Sequence, residues 1–457
     1  MDINELKKME RETAREGMIQ NVKENLPTLI SIAETFCPTG ATCKLSGFVR
    51  GGYNFCIKLQ VSSGERWFMR LPMSSHVHDV EEKIMAEVST MRLVSVMCSN
   101  IPIPTIIAFG CCDRGPLKGQ WYLITDELPG VPLDSVWNTI SQSEELRKKF
   151  FGQLSDIVIQ LSGLQFDKIG SLKLHEYNVQ VCIISIQSLM YKTKEQLSGS
   201  FGRPLTSHVN DLERVGIDAT SDCNSTFHST TSYFDYLAEL HFRRLRFQPN
   251  SIYDEEDGYW KFVARICMRE LARRLVSSEF DLGPFVLMHG DLTQQNILID
   301  EDYNISGIVD WEWSATVPIH LFLAIPPALR PHKIPSPAEL NGPEKELFLR
   351  DVGEYLECFR ARETLVSTTC PLSSIMSEDW KSGKYWFHSA LMNLWDLDYP
   401  FWEYVFPRQF PDKAEEAFVR EYRLGPLQSE MESLVRKKCE DLKKYQDEIK
   451  RIPNERT

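Results

Sequence analysis

Val286-Leu-Met-His289-Gly290-Asp291-Leu-Thr-Gln-Gln-Asn296-Ile-Leu-Ile299-Asp300 is the stretch on which the reading of this chain turns. An apolar run enters His-Gly-Asp, a short polar loop reaches Asn296, and a second apolar run leaves it. Ile305-Ser-Gly-Ile-Val309-Asp310-Trp311-Glu312 follows. Short apolar runs bounded by polar turns read as strands. A hairpin of this kind brings Asp291, Asn296 and Asp310 to one end of a small sheet. Phosphoryl transfer from ATP needs such a set. One carboxylate receives or orients a hydroxyl proton, while a second carboxylate and a neutral amide oxygen hold Mg²⁺ against the phosphates. Asparagine suits the loop because it ligates metal without adding a repelling charge beside the base. His289 reads as a brace for the loop. The bare spacing also arises by chance in polar loops. Three features lift it above that: the flanking strands, Asp310 fourteen residues beyond Asn296, and the segment that precedes them.

That preceding segment reads as three strands, a helix and two strands. Cys43–Val49, Asn54–Val61 and Arg66–Leu71 are the first three, with Phe55, Ile57, Leu59 and Val61 alternating onto one face. Val80, Ile84, Val88 and Met91 then recur at helical spacing. Ile101-Pro-Ile-Pro104 breaks the helix, and strands follow near Thr105–Cys111 and Trp121–Thr125. The Gly51-Gly52-Tyr53-Asn54 turn lets backbone amides approach phosphates, although most Gly-Gly hairpins are only turns. Its order gives it meaning. A glycine turn, a basic residue on a following strand (Arg70) and an acidic residue on the next helix (Glu87) make up the nucleotide lobe of kinases. An Arg70–Glu87 pair would hold Arg70 toward the phosphates; its plain alternative is a surface ion pair of little worth.

At 457 residues and 42% hydrophobic content the chain is long enough for two packed lobes. A net charge of −13 with no long basic run argues against nucleic acid as a partner. Twelve cysteines without C-x-x-C pairs suit reduced thiols in the cytoplasm better than zinc or a disulfide framework. The N-terminus lacks the apolar core of a signal peptide, and no apolar run approaches the roughly 20 residues that span a bilayer. Residues 1–37 read as a helical extension, 38–127 as the nucleotide-binding lobe and 128–457 as a helical lobe carrying the catalytic loop. Residues 170–235, rich in Ser, Thr, Gly and Asn, read as an insertion. Gln428–Arg451 carries a narrow apolar stripe that suits a terminal helix packed on its own lobe, or a short coiled-coil contact.

The chain resembles the aminoglycoside phosphotransferase and choline kinase-like family from about Ser46 to Pro327. The likeness is carried by Gly51-Gly52-Tyr53-Asn54, Trp67-Phe-Met-Arg70-Leu-Pro72, Glu87, Ile101-Pro-Ile-Pro104, Tyr122–Leu133, His289-Gly-Asp291 to Asn296, and Ile308–Trp313. The resemblance implies an α+β, bilobal protein-kinase-like fold with a small antiparallel-sheet lobe and a larger helical one. It implies adenine against the hinge at Asp126, Glu127 and Leu128, Asp291 as base, and Asn296 and Asp310 as Mg²⁺ ligands. Two departures stand out. Arg70 occupies a position usually held by Lys, and its planar fork is not equivalent. Thr293, the Trp-Glu after Asp310 and the lack of an A-P-E segment set the chain apart from protein kinases.

The expected reaction is therefore transfer of the γ-phosphoryl group of ATP to a small-molecule hydroxyl. A scaffold protein on the same fold and a protein kinase are the rivals. Oligomeric state is not legible. Tyr385, Trp386, Trp395, Asp396, Asp398, Tyr399, Trp402, Glu403 and Tyr404, with Glu312 and Trp313, could build an acidic, aromatic pocket for a cationic acceptor. Their alternative is helix core and solvated acids.

Overall fold

A computed structural model of the chain describes residues 4–173, 200–219, 226–330, 341–366 and 370–452. Two helices, α1 (Glu5–Glu24) and α2 (Leu26–Glu34), precede an antiparallel sheet of β1 (Cys43–Arg50), β2 (Asn54–Val61), β3 (Arg66–Pro72), β4 (Ile106–Cys111) and β5 (Trp121–Asp126), ordered β1-β2-β3-β5-β4. Side chains alternate across a strand, and here the two faces have separate duties. Phe55, Ile57, Leu59, Trp67, Met69 and Leu71 turn outward and bury themselves against Ile19, Val22, Leu29 and Ala33 of α1 and α2. Asn54, Cys56, Lys58, Phe68 and Arg70 face the opposite way, onto a cavity. The N-terminal helices thus cover a sheet face that would otherwise be an exposed apolar patch.

Helix α3 (Val80–Met97) crosses beside this sheet. The Asp79 side chain caps it by accepting from the Glu82 N–H at 2.9 Å. The sequence places one apolar face on α3, but every residue from Lys83 to Met91 is buried. The helix is wrapped on all sides, which makes its two interior charged residues, Lys83 and Glu87, the informative ones.

Asp126-Glu127-Leu128 leads into β6 (Val131–Pro132), then helices α4 (Leu133–Gln142) and α5 (Glu144–Ser162) and short strands β7 (Gln165–Phe166), β8 (Ser171–Lys173) and β9 (Ser200–Gly202). Helices α6 (Ser207–Arg214), α7 (Thr230–Phe247) and α8 (Glu255–Leu275) precede β10 (Phe285–Met288), β11 (Ile297–Ile299), β12 (Ile305–Ile308) and β13 (Ala315–Pro318). Much of the reading of 170–235 as an insertion falls on residues outside those described. The decisive hairpin differs from its sequence reading in one respect. It is not one small sheet: β10 pairs with β13 and β7, whereas β11 pairs with β12 and β6. The polar loop crosses from one sheet to the other, and the site lies at that junction. β6 docks on β11 (Leu298 opposite Pro132), so the linker from the first lobe ends directly on the hairpin. Ile101-Pro-Ile-Pro104 does more than break a helix, since the Pro102 carbonyl accepts from the Ile308 N–H at 2.7 Å.

The remaining helices include α9 (Ile319–Phe322), α10 (Gly342–Glu363), α11 (Leu372–Ser382) and α12 (Lys384–Met392). The terminal helix Gln428–Lys450 packs on α8, with Val435 over Gly258, and buries Met431, Val435 and Tyr445. Its fully buried Lys438 donates to the Gln248 carbonyl at 2.6 Å, which lets a charged residue sit inside the stripe. Among the described residues no helix is long and apolar enough to cross a membrane.

Candidate active site

The His-Gly-Asp loop is held by its own side chains. His289 Nε2 donates to the Val309 carbonyl at 3.0 Å, and its Nδ1 accepts from the Asp291 N–H at 3.1 Å. This pattern needs a neutral ring with the proton on Nε2. Burial supplies it, lowering the His289 pKa to about 4. Gly290 is required by space: a Cβ there would lie 2.3 Å from the Trp313 carbonyl oxygen. Asn296 Nδ2 donates to the Asp291 carbonyl at 2.8 Å and to Asp291 Oδ2 at 3.0 Å. The amide nitrogen is thereby committed, and the Asn296 oxygen is the atom left to serve as a ligand. Asp310 has φ +66°, a left-handed conformation that aspartate adopts more readily than most residues.

Asp291, Asn296 and Asp310 share one cavity of about 1030 Å³ with Gly51, Gly52, Asn54, Arg70, Asp126, Glu127, Leu128 and His289. Glu87 does not reach it. That residue sits behind Arg70, 1% exposed, and pairs with the guanidinium. Arg70 also pairs with Asp310, and reaches Glu312 at 3.3 Å. The sequence reading missed the cation that completes this cluster. Lys83, buried, contacts Glu312, lies 3.4 Å from Glu87 and donates to Asn54 Oδ1 at 3.2 Å, while Asn54 Nδ2 donates to Glu312 Oε2 at 2.8 Å. A signal was present: Lys83 and Glu87 are spaced i, i+4 on a helix whose neighbouring positions are apolar.

Two cations thus face three carboxylates. Burial, and next the charge of Glu312, raise the Asp310 pKa to about 7 against the pull of Arg70. Burial also opposes the charge on Glu312, but Lys83 and Arg70 overcome it and hold that carboxyl below its usual range. Such a cluster can exchange cations: a metal ion at Asp310 would replace the positive charge that Arg70 supplies there. Asp310 and Asn296 offer hard oxygen donors, the type Mg²⁺ takes, and no group of three or more His, Cys, Asp or Glu ligands forms among the described residues.

The glycine turn is less strained than glycine implies. Neither Gly51 nor Gly52 has a positive φ, and nothing lies within 4 Å of a Cβ added at Gly52. The Gly51 N–H closes the turn on the Asn54 carbonyl at 2.9 Å, so this amide is already used. At the hinge, the Asp126 carboxylate turns back to accept from the Thr105 N–H at 2.6 Å. The N–H groups of Asp126 and Glu127 serve the Thr105 and Arg66 carbonyls.

Leu321, Phe322, Tyr385, Met392 and Trp395 also line the cavity, as does Trp313, whose ring stands 4.9 Å from that of Tyr53 in the glycine turn. Of the acidic, aromatic set read from the sequence, Glu312, Trp313, Tyr385 and Trp395 line the cavity and the rest do not. Asp398 is paired with the buried Arg265 at 2.6 Å, Trp386 stacks on Tyr404 at 3.9 Å, and Trp402 packs edge-on to Trp260. Tyr399 and Glu403 are exposed. Asp211, which does line the cavity, is paired with Arg214 at 2.9 Å.

Residues 48–321 match the phosphotransferase enzyme family, which is more than half of the chain. The chain belongs to that family. It has an α+β fold, with an antiparallel sheet in its N-terminal part and a mostly helical C-terminal part. It is 25% identical over 284 residues to clavilactone A biosynthesis cluster protein Y of Ampulloclitocybe clavipes, covering 60% of this chain and 61% of that protein. The match therefore spans about three fifths of that relative's length. Among solved structures, an aminoglycoside phosphotransferase in ternary complex with AMP-PNP and hygromycin B is 13% identical with a TM-score of 0.42, over 86% of this chain and 94% of that one. The amicoumacin kinase hAmiN is 12% identical with a TM-score of 0.42, over 91% and 96%.

Proposed function

We propose that this phosphotransferase moves the γ-phosphoryl group of Mg²⁺-bound ATP to a hydroxyl of a small molecule. The observation that carries this reading is the meeting of Asp291, Asn296 and Asp310 with Arg70 and the glycine turn in one cavity. Asp291 is the base. Its carboxylate opens on the cavity, steadied by Asn296, and takes the acceptor proton. As the acceptor oxygen bonds to the γ-phosphorus, the bond from phosphorus to the β–γ bridging oxygen breaks and ADP departs. Asn296, through its oxygen, and Asp310 would hold Mg²⁺, which when bound would neutralise charge on the phosphates. Arg70, backed by Glu87, reaches the α- and β-phosphates, and the turn at Gly51, Gly52 and Asn54 covers them. With the Asp126 and Glu127 N–H groups already used, the Leu128 end of the hinge meets adenine.

The acceptor we favour is an uncharged alcohol or phenol with an apolar body. Asp211 of the cavity wall is matched by Arg214, Asp398 is drawn off to Arg265, and the wall around Leu321, Phe322, Tyr385, Met392 and Trp395 is apolar and aromatic. A cationic acceptor would find little unspent negative charge there. Residues 38–127 serve the nucleotide, and 128–457 carry the catalytic loop, the metal ligands and the acceptor site. The free thiols of the described cysteines suit the cytoplasm, and the net charge of −13 suits a protein that does not take nucleic acid. The Arg70–Asp310 ion pair is the observation that favours a rival, a silent binding protein, because it occupies the carboxylate that the metal needs. ATP consumption with a panel of neutral and amino alcohols separates the two. Asp291→Asn should cut turnover by roughly 10²–10⁴-fold, the usual size of a general base's contribution, while Mg-nucleotide binding persists. Turnover that survives the substitution would remove Asp291 from the role.

A further inference from the structure

Lys83 has no part in the reaction as read so far, yet it is among the most deeply buried charged residues of the chain, 1% exposed. One turn of α3 separates it from Glu87 and sets both on the same face. An ammonium in such a place persists only with counter-charges and hydrogen bonds around it. Here Glu312, Glu87 and Asn54 supply them. Arg70 and Lys83 share Glu87 and Glu312, but they do not share them equally. Lys83 has its nearest approach at Glu312, while 3.3 Å to Glu312 is the longest of the three Arg70 ion pairs.

Asn54 completes the arrangement. Its oxygen accepts from Lys83 and its nitrogen donates to Glu312. One amide at the foot of the glycine turn is thus oriented by a cation from α3 and an anion from the loop after Asp310. We propose that Lys83 is a positioning residue of the nucleotide site: it holds Glu312 as a fixed counter-ion, in concert with Asn54, and so leaves Arg70 available to the phosphates. Without Lys83, the nearest remaining cation to the buried Glu312 carboxylate is Arg70. A guanidinium drawn between Glu87 and Glu312 could not turn to a nucleotide. This division of labour rests on the kinase reading above.

The test is the affinity of the full chain for Mg²⁺-AMP-PNP by calorimetry, with circular dichroism melting in parallel. Lys83→Met should weaken binding by about tenfold, the size of coupling usual between neighbouring charged groups, in a protein that still melts cooperatively. Lys83→Met/Glu312→Gln should recover most of that loss, because nothing then competes for Arg70. A lysine with a merely structural role predicts the reverse, since the double variant removes two members of the network. Unchanged affinity in folded Lys83→Met, or no recovery in the double variant, overturns the proposal and leaves the kinase reading standing. If the unaltered protein takes up no Mg-nucleotide, the kinase reading fails and the proposal with it. If Lys83→Met does not fold, Glu312→Gln and the double variant decide. Equal affinities support the proposal, and a double variant weaker by about tenfold overturns it.

Discussion

The two halves of the cavity are built on opposite principles. On the proposed nucleotide side, Arg70, Lys83, Glu87, Asp310 and Glu312 crowd together in a network of ion pairs, with Asn54 bridging two of them. On the proposed acceptor side, Phe322, Tyr385, Met392 and Trp395 present aromatic and aliphatic surface. The first half is specified by charge at fixed positions and the second by shape. Charge placement tolerates almost no substitution, because a buried charge that loses its partner is costly. An apolar wall can be redrawn with other side chains of similar volume. That contrast fits a fold that keeps one phosphate chemistry while serving many acceptors.

The largest expected effect breaks the charged half. Glu312→Leu strands Lys83 and Asn54, and should cost about 3–5 kcal/mol, the usual penalty for removing one partner of a buried pair. Thermal or urea unfolding would read it, and a loss under 1 kcal/mol would mean that water reaches the cluster. Next comes a contrast between two glycines. Gly290→Ala drives a Cβ into the Trp313 carbonyl and should cost about 1–3 kcal/mol. Gly52→Ala meets open space and should leave stability within about 0.5 kcal/mol while weakening nucleotide binding. Equal stabilities for the two variants would contradict the packing described at Gly290.

A smaller effect tests the apolar half. Trp395→Ala should raise KM for a neutral aromatic alcohol by about tenfold, with KM for ATP unchanged. A parallel rise in both would place Trp395 outside the acceptor site. The smallest effect is a slope against pH. The Asp310 carboxyl is raised to about 7 in the folded chain, above its unfolded value near 4. Between those values the folded state holds more protons than the unfolded one, so this group's stabilisation is full below about pH 4 and is lost as pH rises toward 7. Melting of the nucleotide-free protein should show that decline, and Asp310→Asn should flatten it. An unchanged slope would exclude Asp310 as its source.

Much of the charged half was legible in the sequence, and for a physical reason. Strand alternation and loop spacing are local, so Gly51-Gly52, Arg70, Glu87 and His289-Gly-Asp291 could each be set on an element before any packing was known. Lys83 escaped because a lysine within a helical run reads as solvated. Only the covering of α3 on every side turns it inward. The aromatic cluster at Tyr385–Tyr404 went the other way. Its composition suggested one pocket, but Arg265 and Trp260, both from α8, draw Asp398 and Trp402 away from the cavity.

By itself the sequence determined the order of strands and helices, the loop that carries Asp291 and Asn296, and the pairing of a basic strand residue with an acidic helix residue. The first two follow from periodicity and from the short reach of neighbouring residues along a chain, and the pairing follows from the order of the glycine turn, strand and helix. Only the tertiary structure decided that the hairpin divides between two sheets. It alone decided that Glu312 is shared by two cations from the N-terminal part of the chain, and that Asp398 and Trp402 turn away from the cavity. These depend on contacts between residues distant along the chain, most of all Asn54 with Glu312. Burial there sets the worth of every charge, and burial is a property of the assembled fold.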